Sequence, residues 1–354
     1  MISSVKNIFK PLAIAFILIF LFSNVAYSQI GGDNTYEFLN LPNSARITAL
    51  GGNFFAVKDN DIALAQSNPS LITKEMHNNL ALSYVDYFSD INYGFVSYGR
   101  SFPKIGNYVA TMQYINYGDF LWTDETGREL GEFTAGEFAF NLGWGRQLDS
   151  NFSIGANLKG IYSSFDEYNS FGLAVDVAGT YYNPESQLTL SLIAKNIGSQ
   201  IDPYYSNHIE PLPFELMLGM SKRLKHLPFR YSILVTHLEK WDLTYDDPYL
   251  DNEGVDPFTG EENKTSGAGD FADKFMRHIV LGGELLLSKN FSLRLGYNYH
   301  RRQELKIDTK AATVGFSWGF GFRVSKFHFS YARSAYHLVG SPNYITITTN
   351  FSEF

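Results

Sequence analysis

The sequence predicts a transmembrane antiparallel β-barrel of about fourteen strands, with an N-terminal plug segment inside it. Three observations lead to this fold class. From residue 79 to the C-terminus, stretches of about ten residues alternate apolar with polar or small side chains and then turn. The connections alternate between tight turns and mostly longer loops, as in outer-membrane barrels. Aromatic residues make up 16% of the chain and charged residues only 18%, which suits an outer surface facing lipid.

Residues 1–28 have the pattern of a secretory signal peptide. Two lysines precede an apolar run over residues 12–22, and Ala26-Tyr27-Ser28 offers a cleavage site before Gln29. The apolar run is about a dozen residues, shorter than the ~20 of a helical span. An uncleaved anchor is the alternative. We therefore expect an exported protein in the outer membrane of a Gram-negative bacterium.

Composition excludes several classes of function. The chain has no cysteine, so it has no disulfide framework, thiolate metal site or cysteine nucleophile. A formal net charge of −8 argues against a nucleic-acid partner, because phosphate binding requires a basic face.

Residues 29–78 lack the regular alternation of apolar and polar residues seen in the later strands. They are predicted to be the plug, or hatch, of a barrel formed by residues 79–354. Within them, Asp61 can cap a short helix over residues 62–66, which Asn68-Pro69 would end. Beyond them, alternation predicts fourteen strands near 79–88, 91–102, 106–118, 133–147, 151–164, 168–182, 186–198, 212–224, 228–242, 275–287, 290–302, 307–323, 326–333 and 342–354.

The predicted strand 307–323 shows the alternation most clearly. One parity holds Ala312, Val314, Phe316, Trp318, Phe320 and Phe322, and the other holds Ala311, Thr313, Gly315, Ser317, Gly319 and Gly321. Because successive side chains point to opposite faces, this strand has one aromatic and one small or polar face. The last strand ends in Phe354, which is out of phase with Phe351 and requires a late bulge.

Six ionisable side chains fall on the polar parity of their strands and are predicted to form a network inside the barrel. They are Lys159, Asp176, Lys195, His278, Glu284 and Arg294. Charged networks are common in barrel interiors, and a substrate path is the alternative. His300 and His328 share the inward parity of His278, so a metal site in the lumen is a further alternative.

The connection over residues 243–274 is strongly acidic and is the candidate binding surface for a partner. Its candidate residues are Asp246, Asp247, Asp251, Glu253, Asp256, Glu261 and Glu262. Residues 251–256 are similar to the start of a calcium loop but lack the closing glutamate, so Ca²⁺ is the single candidate cofactor. A solvated acidic loop without a ligand is the alternative.

No catalytic motif is present, so we expect the protein not to be an enzyme. The sequence has no His-Glu-x-x-His, Gly-x-Ser-x-Gly or phosphate-binding loop. Ser334 and His337 lie three residues apart on a predicted loop, which is weak support for a nucleophile and base.

Three elements of the plug carry a resemblance to a known family. Residues 36–46 end in Ser44-Ala45-Arg46, and Gly51-Gly52 and then Asn68-Pro69 follow. In this order they resemble the opening of PorQ-type proteins of the type IX secretion system of Bacteroidota. They are also similar to the wider FadL-like and PorV-like barrel superfamily, which has fourteen strands and an N-terminal hatch.

This resemblance implies a non-enzymatic component of the secretion machinery that anchors a partner at the cell surface. The expected partners are outer-membrane lipid, a PorZ-like surface protein and a PorU/PorV-type complex that attaches cargo to anionic lipopolysaccharide. The alternative function is a FadL-like channel for hydrophobic small molecules, with residues 29–78 as a movable hatch. The short chain and the scarcity of long loops argue against a large hydrophobic capture site.

Overall fold

Fourteen antiparallel strands close into a barrel in a computed structural model that describes residues 34–206, 208–244, 267–305, 313–336 and 340–354. Each strand pairs with its neighbours in sequence, and β1 pairs with β14 to close the ring. The predicted antiparallel barrel and its fourteen strands are confirmed. Among the described residues, no helix combines the length and apolar content needed to cross a membrane.

The strands are β1 (Asn79–Asp86), β2 (Asn92–Phe102), β3 (Gly106–Thr123), β4 (Glu129–Gln147), β5 (Phe152–Phe165), β6 (Tyr168–Asn183), β7 (Leu188–Asp202), β8 (Glu215–Arg223), β9 (Phe229–Val235), β10 (Ile279–Leu285), β11 (Phe291–Asn298), β12 (Phe316–Val324), β13 (Phe327–Ser334) and β14 (Asn343–Asn350). The α-helices are α1 (Ala45–Ala49), α2 (Gly267–Arg277) and α3 (Tyr299–Leu305). Short 3-10 turns cover Glu37–Asn40, Ile62–Leu64, Pro69–Leu71, Lys74–Met76 and Phe351–Glu353.

Burial alternates along the strands as the sequence predicts. In β12, Trp318 is 47% exposed on the outer face, whereas Ser317, Gly319 and Gly321 are buried inside. The predicted start of this strand is wrong. Val314 is buried in a turn before the strand, and Ala311 and Ala312 lie outside the described residues.

Two helices replace ends of predicted strands. The sequence places His300 on an inward strand face, but β11 ends at Asn298 and α3 follows. The Asn298 side chain accepts a hydrogen bond from Arg301 N at 3.0 Å, a helix cap that strand periodicity does not reveal. Before β10, α2 carries the i,i+4 pairs Asp270–Lys274 and Asp273–Arg277, which favour a helix over a loop.

The predicted alternation of connections holds at most positions. The connection predicted over residues 119–132 is shorter, because β3 and β4 continue as a paired ribbon in which Phe120 and Phe133 stack at 5.2 Å. The predicted bulge near the C-terminus is also wrong. β14 ends at Asn350, whose side chain accepts from Ser352 N at 2.7 Å and starts a 3-10 turn that changes the phase of Phe354.

The barrel has two distinct ends. The short connections β2–β3, β4–β5, β6–β7, β8–β9, β10–β11 and β12–β13 lie at one end, with the start of β1 and the end of β14. We call this the turn end and the opposite end the loop end. In outer-membrane barrels the short turns are periplasmic and the longer loops are external.

Residues 34–78, here named the inner segment, run through the barrel from the loop end to the turn end. Thr35 N donates to Pro211 O in the β7–β8 connection at the loop end, and the segment leads into Asn79 at the turn end. Between these points most of its side chains are buried, including Phe54 and Phe55 at 1% exposure. The inner segment therefore supplies the core of the barrel.

Glycines on the inner wall allow the backbone of the inner segment to approach closely. A Cβ at Gly155 on β5 would lie 2.3 Å from the carbonyl of Pro69, and one at Gly296 on β11 would lie 2.2 Å from Gly51 N. Real Cβ atoms do not approach backbone this closely, so any other residue at these positions would displace the inner segment. The small face predicted from the alternation is the surface that receives this segment.

Gly155→Ala is expected to destabilise the barrel by about 1–3 kcal/mol, because its Cβ meets rigid backbone. Gly160→Ala is the matched control on the same strand, since a Cβ there meets no atom within 4 Å. The measurement is the urea midpoint of unfolding in detergent micelles. Equal midpoints for the two variants would contradict the placement of the inner segment against β5.

Candidate functional site

Helix α1 places Arg46 inside the barrel. Ser44 caps the helix by accepting from Ile47 N at 3.3 Å, and Ala45 N donates to the Thr346 hydroxyl of β14 at 2.9 Å. These contacts fix the helix against the wall, and its side chain at position 46 then points towards β9, β10 and β11.

Arg46 joins a buried cluster of three cations and three carboxylates. Its guanidinium pairs with Asp59, with Asp61 at 3.0 Å and with Glu284 on β10 at 3.0 Å. Arg230 on β9 pairs with Glu284 at 2.7 Å and with Asp59 at 3.0 Å. Arg294 on β11 donates from Nε to the other oxygen of Glu284 at 2.8 Å. Three positive and three negative groups therefore balance, and together they link the inner segment to three adjacent strands.

The centre of the cluster is shielded from water, whereas Asp59 and Asp61 reach the cavity beside it, with side chains 26% and 19% exposed. Side-chain exposure is 8% for Arg46, 2% for Glu284 and 4% for Arg294. Removing one member of such a group leaves a buried charge uncompensated. On its turn-end side the cluster forms the floor of an open cavity of about 480 Å³, whose walls include Arg323, His328 and Asn350.

A second polar network lies on another part of the wall, at β5, β6 and β7. Lys159 Nζ lies 2.8 Å from Asp176 and 2.7 Å from the Asn196 amide oxygen. Asn196 has a φ of 57°, a left-handed conformation that asparagine tolerates, at a register shift between β6 and β7. This bulge makes Asn196 the partner of Lys159, whereas Lys195, predicted for the network, pairs in register with Glu215.

The remaining elements of the plug fix its path. Gly51 and Gly52 have φ values of 103° and 97°, which L side chains rarely adopt, and they turn the chain after α1. Asn68 caps the Pro69–Leu71 turn by accepting from Ser70 N at 3.0 Å and donates to Phe55 O at 2.9 Å. The predicted cap at Asp61 is present, but Asn68-Pro69 begins a second turn as well as ending the first.

The histidines predicted for a lumen site have separate partners. His278 contacts the carbonyls of Thr236 and Trp241, His300 pairs with Glu304 on α3, and His328 lines the turn-end cavity. In the described part of the chain no group of three or more His, Cys, Asp or Glu residues is arranged to hold a metal ion. All seven acidic candidates of the 243–274 connection, from Asp246 to Glu262, lie outside the described residues, as do the signal segment and His337.

Sequence reasoning missed Asp59, Asp61 and Arg230 as members of the ion cluster. Arg230 lies on the inward parity of β9, beside the buried Ser232 and Leu234, so parity alone could have found it. The two aspartates lie in an irregular stretch where no periodicity assigns a direction.

His237 marks a further charged group, at the loop end. Its Nδ1 lies 3.2 Å from Glu239 and its Nε2 lies 3.6 Å from Glu215, which is 3% exposed. Burial opposes the charged form, but the hydrogen bond to Glu239 and the surrounding carboxylates outweigh it and raise the pKa of His237 above its ordinary value.

Comparison with known proteins finds similarity in the fold. No protein-family model matches the chain, and no curated protein matches it. The Pseudomonas putida toluene transporter TodX is similar over 87% of this chain and 96% of its own, with a TM-score of 0.49 and 11% identity. A Pseudomonas aeruginosa FadL homologue matches over 87% and 98%, with a TM-score of 0.44 and 11% identity. A TodX mutant described as a monoaromatic hydrocarbon channel matches over 88% and 100%, with a TM-score of 0.48 and 13% identity.

These neighbours are outer-membrane channels of the FadL family. What this chain shares with them is a closed antiparallel barrel of the kind found in Gram-negative outer membranes. At such low identity the likeness concerns the fold alone.

Arg46→Met is expected to cost about 3–5 kcal/mol of stability, because Asp59 and Glu284 would lose a buried partner. Arg323→Met is the control. It removes an exposed pair with Glu353, where the two side chains are 47% and 41% exposed, and such a pair is worth about 0–1 kcal/mol. Urea unfolding in micelles measures both. A similar loss in the two variants would show that the cluster does not stabilise the inner segment.

The raised pKa of His237 predicts a pH dependence at the loop end. Stability from its charged form is fully present below the unfolded pKa of about 6.5 and is lost as pH rises through the higher folded value. The thermal midpoint of the wild type should therefore fall, as pH rises above about 6.5, more than that of His237→Gln. Parallel pH profiles for the two proteins would rule out a contribution from this group.

Proposed function

We propose that this protein is a non-enzymatic outer-membrane anchor whose barrel stays closed and whose loop end holds a partner at the cell surface. The main support for this proposal is that the inner segment occupies the interior of the barrel. The inner segment meets the wall at backbone contact distance and is joined to it by the Arg46 cluster. A barrel packed in this way is suited to holding a position in the membrane.

The loop end offers a surface suited to a protein partner. Trp241, Phe271 and Phe275 are 52%, 59% and 45% exposed; the rings of Phe271 and Phe275 stack, and Trp241 packs tilted against Phe271. Exposed aromatic side chains held rigid by stacking are typical of binding hot spots. Asp242 and Asp270 carry the charge nearest these rings, and both pair with Lys274, at 2.9 and 3.2 Å, so the matching surface would be mainly apolar.

More specifically, we propose that this anchor belongs to the type IX secretion system. Its support is the order Ser44-Ala45-Arg46, Gly51-Gly52 and Asn68-Pro69, which resembles PorQ-type proteins, together with the structural use of each element inside the barrel. On this proposal the partner is a PorZ-like surface protein of the complex that attaches cargo to lipopolysaccharide. The acidic residues 246–262 would extend the docking surface, with Ca²⁺ as a candidate ligand.

The competing function is a channel for hydrophobic compounds. The similar solved structures include a toluene transporter and a monoaromatic hydrocarbon channel, and a channel here would require the inner segment to move. Movement would separate Arg46 from Glu284 and open the contacts at Gly155 and Gly296. The two functions therefore differ in whether the interior must open.

The double variant Trp241→Ala/Phe271→Ala is expected to reduce retention of the surface partner by at least about tenfold, because hot-spot aromatics carry ~2 kcal/mol or more each. The measurement is quantitative mass spectrometry of secretion proteins co-purified from outer membranes. Trp122→Ala, an exposed tryptophan of the β3–β4 ribbon, is the matched control.

Two outcomes would contradict the proposal. Full retention by the double variant would remove the α2 surface from partner binding. Normal cargo attachment in a deletion strain, together with lost uptake of an apolar compound such as toluene, would favour the channel instead.

A further inference from the structure

A groove on the outer face of the barrel, near the turn end, has the form of a lipid-binding site. It lies across β2, β3 and β4 and encloses about 370 Å³. Its floor is Ala110 on β3. The strand register places Tyr98 of β2 and Leu142 of β4 directly beside Ala110, one on each side. A methyl group between two much larger side chains leaves a slot, and the slot continues towards Phe102 and Ile105 at the turn end.

The walls of the slot are apolar and held in place. Phe102 and Tyr108 meet edge to face at 6.0 Å, and the Tyr108 hydroxyl donates to Ile105 O at 3.2 Å. Leu142 and Phe102 are each 42% exposed on the outward face. The slot is therefore continuous with the surface that contacts lipid, and its shape does not depend on a ligand.

One cation lines the slot between Ala110 and the turn end, at the level of Tyr108. Arg100 projects outward two residues beyond Tyr98, and its Nη1 donates to the Asn78 amide oxygen at 2.7 Å. The Tyr98 hydroxyl donates to the same oxygen at 3.0 Å, which orients both side chains. A guanidinium has five N–H donors, and its planar fork suits a phosphate group.

We propose that this groove binds one glycerophospholipid of the periplasmic leaflet, with its phosphate on Arg100 and one acyl chain in the slot over Ala110. The charge and the apolar walls are arranged in the order in which a phospholipid presents its headgroup and its tail. Arg100 lies near the turn end, where the headgroups are, and Ala110 lies deeper in the membrane. The site is independent of the proposed surface partner, because it lies at the opposite end of the barrel.

The test is native mass spectrometry of the detergent-purified protein, with extracted phospholipid quantified per barrel. The wild type is expected to retain one phospholipid. Ala110→Phe fills the slot, and Arg100→Gln removes the phosphate ligand; each is expected to lower retention by at least about tenfold. Ala156→Phe, at an outward alanine of β5, is the matched control and should retain the lipid.

Three outcomes would overturn the proposal. The first is equal retention by the wild type and Ala110→Phe, which would mean ordinary exchangeable lipid. The second is full retention by Arg100→Gln, which would remove the phosphate contact. The third is an equal loss in Ala156→Phe, which would make the effect general to the outer face. Heat-dependent mobility on gels checks that each variant is a folded barrel.

Discussion

The buried ion cluster around Arg46 is the interaction on which the rest of the structure depends. Taking a charge out of water costs several kcal/mol, and only complete pairing offsets that cost. Here the charges balance only when the inner segment, which supplies Arg46, Asp59 and Asp61, meets Arg230, Glu284 and Arg294 from three strands. Alone, the inner segment has one excess carboxylate and the wall has one excess cation. The barrel wall and its inner segment therefore have to form together, and the closed interior follows from that requirement.

This dependence also explains the composition of the inner wall. A water-filled lumen would accept any polar side chain, because water adapts to its shape. A wall that receives a backbone needs space at particular positions, which is why glycine stands where a Cβ would lie 2.2–2.3 Å from the inner segment. Small side chains on one parity and large aromatic ones on the other thus have different causes. The outer face is set by lipid, and the inner face by the inner segment.

Much of the barrel could be predicted from the sequence, because strand parity is a local property with a period of two residues. The inward direction of Lys159, Glu284 and Arg294 follows from parity, and so does the count of strands. The partners of those residues do not. Arg46 and Glu284 are separated by 238 residues, and no local pattern relates them. The sequence analysis missed helices α2 and α3 because their helix signals are local and short. The Asn298 cap, for example, lies beside segments with strong strand periodicity.

The anchor and channel functions make different demands on the regular barrel strands and on the irregular segments, which are the inner segment and the loop-end connections. An anchor requires only that the interior stay as it is, so its specific residues belong at the loop end, where Trp241 and Phe271 are exposed on elements that break the strand repeat. A channel requires the interior to change, and the first contact to change would be the pair between Arg46 and Glu284. Opening that pair would still leave Arg46 with Asp59 and Asp61, and Glu284 with its two wall arginines. It would, however, leave the inner segment with one excess carboxylate and the wall with one excess cation in a poorly solvated interior, which is costly. A channel built on this frame would therefore have to compensate these excess charges elsewhere along the path of the inner segment, whereas the closed arrangement balances them. That arrangement favours a barrel that stays closed.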